Sequence, residues 1–316
     1  MNRKVLVTGA GGFIGANLVR SLLRRGNEVH ILSRPKSSQW RLKEVKSKLR
    51  PHNVEINDRA GILKLIKTVV PEQVFHLAQY GCNPGENDPL TIEKVMISGT
   101  GAILDACAEK TSVKSVVNVG SFLEYGEKQT PIKENMLLQP STAYGSAKAW
   151  ATLYGQYLSK QKDVSITTLR PTFVFGPWQQ SGRFMTSAIL ACLSGKPIQV
   201  SDPNVTRDFI FVEDVVRAFI LAADNPCSGE VINIGFGKEM SLKNTAEIII
   251  RQAKADVPIE YGISGRSYDK TNTVWQADIT KAKKLLGWSP KFSQKEAISK
   301  TIKWFNENKN FYQLNI

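Results

Sequence analysis

Along the first half of the chain, apolar positions fall into short β-branched runs separated by longer stretches with helical spacing. The runs are Val5-Leu6-Val7, Val29-His30-Ile31-Leu32, Val74-Phe75-His76-Leu77 and Val116-Val117-Asn118-Val119. Between them the pattern predicts helices near 13–25, 60–69 and 92–108, and another near 143–160 precedes the strand Ser165-Ile166-Thr167-Thr168-Leu169. Strands alternating with helices in this way predict an α/β fold with a doubly wound parallel sheet. After Arg170-Pro171 the alternation loosens, with Gly176-Pro177, Gly195-Lys196-Pro197 and Asp202-Pro203-Asn204 marking loops. Strand signals return at Phe209-Ile210-Phe211-Val212 and Val231-Ile232-Asn233-Ile234. The expected division is a first domain over 1–170, joined again by about 206–237, and a smaller lobe built from 171–205 and 238–316.

Length and composition narrow the class. A chain of 316 residues, 42% hydrophobic, can bury a sizeable core. Met1-Asn2-Arg3-Lys4 before Val5-Leu6-Val7 looks briefly like a secretion signal, but Thr8-Gly9-Ala10-Gly11-Gly12 ends the apolar run. No stretch approaches the roughly 20 apolar residues of a membrane span, so a cytoplasmic protein is expected. Cys82, Cys107, Cys192 and Cys227 are far apart, and His30, His52 and His76 add no ligand spacing. Neither a disulfide framework nor a metal site is expected. The formal net charge of +14 favours anionic partners. Much of it lies between Arg34 and Arg50, where Arg34, Lys36, Arg41, Lys43, Lys46, Lys48 and Arg50 face only Glu44, a pattern that suits a solvated basic face.

The candidate chemistry begins at the N-terminus. Val5-Leu6-Val7-Thr8-Gly9-Ala10-Gly11-Gly12-Phe13-Ile14-Gly15 reads as strand, glycine-rich turn and helix start. Such a turn lets backbone approach a pyrophosphate, and the free N–H groups at the helix start bind its charge. NAD-preferring sites usually end the second strand with a carboxylate that holds the ribose 2′-hydroxyl. Here the strand ends Ile31-Leu32-Ser33-Arg34. A hydroxyl followed by a guanidinium suits a 2′-phosphate, so NADP(H) is expected over NAD(H), with Ser33, Arg34 and either Lys36 or Arg41 as contacts.

Tyr144-Gly145-Ser146-Ala147-Lys148 sets a phenol and an ammonium one turn apart on the predicted 143–160 helix. A free tyrosine titrates near 10, and a cation beside it is expected to lower that value and make the phenol a usable acid–base. Ser121 follows the strand Val116–Val119, at the carboxyl end where open α/β sheets bind ligands. Its hydroxyl would share the substrate oxygen with Tyr144. Ser121, Tyr144 and Lys148 are therefore the candidate catalytic set.

With these residues the chain resembles, nearly end to end, an extended short-chain dehydrogenase/reductase of the nucleotide-sugar epimerase/dehydratase family. The likeness rests on Thr8-Gly9-x-x-Gly12-Phe13-Ile14-Gly15, Phe75-His76-Leu77-Ala78, Ser121-x-x-x-Tyr125-Gly126 and Tyr144-x-x-x-Lys148. It continues through Arg170-Pro171-Thr172-x-Val174-Phe175-Gly176-Pro177, Arg207-Asp208-Phe209-Ile210, Asn233-Ile234-Gly235, Ala277-Asp278-Ile279-x-Lys281-Ala282 and Leu286-Gly287-Trp288. The resemblance implies a Rossmann domain and a C-terminal lobe that binds substrate. It implies that Phe13, Ile14, Glu55, Ile56, Leu77, Ala78 and Gln79 line the cofactor, that Lys148 also holds the nicotinamide ribose, and that Pro171 to Phe173 border the nicotinamide. It places Arg207 and Arg266 at a substrate diphosphate, Asp269 near the nucleoside, and Tyr80 and Phe173 among the substrate-binding residues. A homodimer joined through the helices near 92–108 and 143–160 is also implied, with neither nucleic acid nor membrane as partner.

Departures from the family pattern bear on the reaction. Dehydratases follow the catalytic Ser/Thr with Asp-Glu, whereas Phe122-Leu123 follow Ser121, which disfavours dehydration. Glu55 replaces an aspartate that contacts adenine, and Met96 and Phe173 replace asparagines. Gln79-Tyr80-Gly81 is similar to reductases that make deoxy sugars. The expected reaction is NADPH-dependent reduction of the C4 keto group of an NDP-4-keto-(6-deoxy)hexose. The competing readings are a 4-epimerase that retains NAD, reduction of a non-nucleotide carbonyl, and a non-catalytic dinucleotide-binding or RNA-associated protein.

Overall fold

A computed structural model describes residues 3–33, 39–83, 85–109, 112–262 and 273–312. Seven strands form one parallel sheet: β1 Lys4–Thr8, β2 Glu28–Ser33, β3 Leu49–Asn53, β4 Gln73–His76, β5 Ser115–Val119, β6 Ile166–Pro171 and β7 Val231–Ile234. Their order is β7-β6-β5-β4-β1-β2-β3. Val7 pairs in parallel with Ile31 on one side and Phe75 on the other, so the order in which strands are added reverses between β1 and β4. That reversal opens a crevice at the strands' carboxyl ends.

Alternate residues of each strand feed two cores. Leu6, Val74, Val116 and Ile166 pack with α2 (Arg59–Val69) and with Gly99–Ala108, α3. Val5, Val7, Phe75, Val117 and Leu169 face the opposite layer, which holds α1 (Phe13–Arg24) and Val212–Asp224. Burial on both faces explains why the strands read as unbroken apolar runs.

β3 went unseen because Leu-Arg-Pro-His-Asn has a single fully buried side chain, Leu49. Backbone pairing to β2 holds it at the sheet edge, where proline is tolerated. The preceding segment Trp40–Lys48 is a 3-10 helix with Lys43, Lys46 and Lys48 exposed, as a solvated basic face requires. The helix expected near 92–108 is interrupted: Glu93–Ser98 is π-helical before α3 begins. Val231–Ile234 does join the main sheet beside β6, but Phe209–Phe211 pairs instead with Phe173–Phe175 in a separate parallel ribbon.

The smaller lobe stacks Phe184–Leu193, Leu242–Ala253 and Gln294–Glu307, with Trp288 fully buried and its indole N–H on the Asp214 carbonyl. Asp208, also fully buried, accepts the backbone N–H groups of Phe236, Gly237 and Ala277 at 2.7–3.0 Å. One carboxylate thus gathers three segments at the junction of sheet and lobe.

Candidate active site

β1 ends in the glycine turn. Gly9 has φ +68°, and a Cβ there would lie 2.6 Å from the Leu77 carbonyl carbon, so the turn presses on the end of β4. Gly12 caps α1 without a side chain, its N–H on the Gly9 carbonyl, and Phe13 and Ile14 open a first turn free of acidic residues. At Gly15 a Cβ would come within 2.2 Å of the Gly9 carbonyl oxygen. Free N–H groups, close backbone approach and no opposing carboxylate fit a pyrophosphate.

Thr8 locks the floor of this crevice. Its Oγ1 accepts the N–H groups of Leu77 and Ala78 at 3.2 Å and meets His76 Nδ1 at 2.8 Å, while His76 Nε2 meets the Thr100 hydroxyl at 3.0 Å. Burial, with Lys148 nearby, drives His76 down to about 3, so the ring is neutral and structural.

The other residues expected at a cofactor are distributed around this turn. Ser33 ends β2, half-buried, with no carboxylate at that strand end; Arg34 and Lys36 lie outside the described residues. Arg41 stacks on Trp40 and donates to the Trp178 and Gly11 carbonyls, which puts its guanidinium against the glycine turn. Glu55 is exposed and faces Lys94 at 3.7 Å, whereas Ile56 is buried against Gly99. Pro171 ends β6, and Phe173 begins the adjoining ribbon.

Ser121, Tyr144 and Lys148 meet at the end of β5. Ser121 caps the short 3-10 turn Phe122–Glu124. Thr142 caps Ala143–Gln161, α4, by accepting the Gly145 N–H at 3.0 Å, which puts Tyr144 in the first turn. A Cβ at Gly145 would lie 2.5 Å from the Leu123 carbonyl oxygen, so glycine lets the helix close on the Ser121 turn. The Tyr144 hydroxyl donates to Gln79 Oε1 at 2.9 Å and lies within hydrogen-bonding reach of Ser121. Lys148 Nζ donates to the Val119 carbonyl at 2.5 Å and stands 5.8 Å from the Tyr144 ring centroid.

The electrostatics correct one expectation. Burial pushes the Tyr144 phenol well above its ordinary value, as does the nearby Cys82, and Ser121 and Arg183 only partly offset them. Lys148 does not reverse this, and burial pushes its own value down to about 8. These side chains therefore favour the neutral phenol, the form that gives a proton to a developing alkoxide; the reverse transfer needs the phenolate.

On the substrate side, the Tyr80 N–H donates to Met96 Sδ at 3.2 Å, so Met96 holds the loop after β4. Arg207 is buried, 4.8 Å from the Phe173 ring and 5.8 Å from the Trp275 ring, with Nη1 on the Thr206 carbonyl. Arg266 and Asp269 lie outside the described residues. Three contributors escaped sequence reasoning: the Gln79 contact to Tyr144, the Asp208 clamp, and Arg183, which donates to the Cys82 carbonyl at 2.8 Å beside the site. Asp208 was visible as an acid inside an apolar strand signal; the other two depend on loop packing. The four cysteines are free, and among the described residues no cluster of His, Cys, Asp or Glu could hold a metal.

A glycine turn at the switch of a doubly wound sheet, with Ser, Tyr and Lys at the adjacent strand end, defines a nicotinamide-dinucleotide-dependent enzyme of short-chain dehydrogenase/reductase type. The chain belongs to the NAD-dependent epimerase/dehydratase family, whose family model matches residues 5–235. A UDP-glucose 4-epimerase from Mycolicibacterium smegmatis is 31% identical, with 96% of this chain and 98% of that protein aligned. Among solved structures, the UDP-glucose 4-epimerase of Thermotoga maritima with UDP-glucose superposes with TM-score 0.87 at 27% identity, over 97% of this chain and 99% of that one. MoeE5 in complex with UDP-glucuronic acid and NAD gives 0.83 at 28% identity, over 96% and 99%. No described helix is long and apolar enough to cross a membrane.

Proposed function

We propose that this protein is a nucleotide-sugar 4-epimerase acting on a UDP-linked hexose. The observation that carries the reading is the Ser121/Tyr144/Lys148 set at the end of β5, with Phe122 and Leu123 where a dehydratase needs acids. Its relatives of known activity favour epimerisation over the net reduction expected from sequence. A bound nicotinamide would accept hydride from the sugar carbon and return it to the other face. Ser121 and Tyr144 hold the sugar oxygen; Tyr144 as phenolate takes its proton in the oxidising half-reaction and returns it in the reducing one, and Lys148 supplies positive charge whenever the phenolate exists. Arg207 and Arg266 are proposed to meet the diphosphate, with Asp269 at the nucleoside.

The test is to release and identify the cofactor from purified protein, then to incubate UDP-glucose and UDP-N-acetylglucosamine without added cofactor. Retained NAD and appearance of the C4 epimer support the reading; stoichiometric NADPH oxidation by a 4-keto sugar overturns it. That second reaction keeps one specific support: β2 ends in the Ser33 hydroxyl, with no carboxylate to repel a 2′-phosphate.

A further inference from the structure

The turn that carries Ser121 is tied down by a carboxylate. Glu124 is fully buried. Its Oε1 accepts the Ser121 N–H at 2.7 Å, and its Oε2 accepts the Thr152 hydroxyl at 2.8 Å and the Arg170 guanidinium at 2.8 and 2.6 Å. Thr152 lies one turn beyond Lys148 on α4, so the carboxylate rests on the helix face that presents the ammonium. Lys148 in turn donates to Val119, two residues before Ser121. Gly120 between them makes room, since a Cβ there would stand 2.6 Å from Glu124 Oε1. The contacts close a ring from β5 through Ser121, Glu124, Thr152 and Lys148 back to β5.

A buried ion pair adds little stability over an apolar pair of similar volume. A role for Glu124–Arg170 is therefore to be sought in what it adjoins. We propose that Glu124 is a positioning residue of the active site: its carboxylate fixes the Ser121 backbone against α4 and supplies the negative charge that offsets the buried Lys148 ammonium. The proposal rests on the Ser121/Tyr144/Lys148 reading above. Among the described residues, the titratable groups facing Lys148 are neutral His76 from β4, Cys82 from the following loop, Tyr144 from its own helix, and Glu124. Burial lowers the proton affinity of Lys148, and Glu124 opposes that more than Cys82 does.

Glu124→Gln keeps the side-chain shape and removes the charge. The alkaline limb of kcat/KM is expected to move down by on the order of one pH unit. The pH at which Lys148 is half-acylated in competitive labelling, read by mass spectrometry, should move with it. Labelling needs no substrate: an inactive wild type would count against the proposed function, while the labelling shift still judges Glu124. Because the single variant strands Arg170, Glu124→Gln/Arg170→Met is measured alongside, and should recover thermal stability while keeping the lowered midpoint. A midpoint unchanged in the single variant, or restored in the double, overturns the proposal and leaves Glu124 a structural partner of Arg170.

Discussion

Gly145→Ala separates stability from chemistry at the contact between α4 and the Ser121 turn. The new Cβ would stand 2.5 Å from the Leu123 carbonyl oxygen and 3.1 Å from Pro140 Cβ. Carbon–oxygen contacts settle near 3.3 Å, so the helix and the turn must part by about 0.8 Å. Two opposing effects act on folding. Alanine is the better helix former by about 1 kcal/mol, and forced overpacking costs about 1–3 kcal/mol. The net loss expected is therefore about 0–2 kcal/mol. Catalysis has no such compensation, because a misplacement of about 1 Å can lower the rate by on the order of 10²-fold. Gly101→Ala is the control: its nearest contact is Arg59 Nη2 at 3.2 Å, the exposed end of a side chain paired with Asp105, which has to give by only a few tenths of an ångström. That variant should gain up to about 1 kcal/mol and keep full turnover. Urea unfolding and steady-state turnover of the wild type's nucleotide sugar are measured on both. Undiminished turnover in Gly145→Ala would refute the idea that this approach aligns Ser121 with Tyr144.

Four further outcomes are expected. Lys148→Met should be inactive at pH 7 yet no less stable than the parent. Burial holds the folded pKa at about 8 against 10.5 unfolded, so the ammonium subtracts roughly 3 kcal/mol below pH 8 and stability rises with pH from 8 to 10.5; unfolding at pH 7 and 10 checks the sign. Parental turnover should fall as pH rises through about 8. His76 binds its proton more weakly when folded, so its contribution is complete above pH 6.5 and is lost towards pH 3. From pH 6.5 to 4.5 the loss is about 2 kcal/mol, and urea unfolding of His76→Asn should show that much less acid sensitivity; identical slopes would sink it. Finally, Leu153 and Tyr157 are 57% and 55% exposed on α4 beside the stacked Trp150–Tyr154 pair. This face is proposed to bury itself in a homodimer, so Leu153→Asp/Tyr157→Asp should sediment as a monomer while the parent sediments as a dimer.

What was legible in the sequence follows the range of the forces involved. The strands of the sheet centre announced themselves because both faces are apolar, and the Tyr144/Lys148 spacing because one helical turn is a local distance. Ser121-x-x-Glu124 is likewise a local capping pattern, but its meaning depends on Arg170, which arrives from β6. β3 escaped because an edge strand held by backbone bonds needs no apolar pattern. The direction of the Tyr144 shift escaped for a related reason: spacing shows that a cation is near, but only packing shows that water is absent, and desolvation is the largest influence on the phenol here.

Proton flow is where the two candidate reactions differ for this site. Net reduction of a 4-keto sugar consumes one proton per turnover, so a buried phenol must be refilled from water each time. Epimerisation takes a proton in one half-reaction and gives it back in the other. Tyr144 is 6% exposed, and its hydroxyl points its proton at Gln79, an exposed side chain on the loop after β4. A site so sheltered from water suits a cycle that conserves its proton, in which Tyr144 must enter as the phenolate that takes the sugar proton. In that cycle Tyr144 is a phenol between the two hydride movements and a phenolate before the first and after the second, so Lys148, held by Val119 and balanced by Glu124, has to stabilise the phenolate while the sugar is an alcohol.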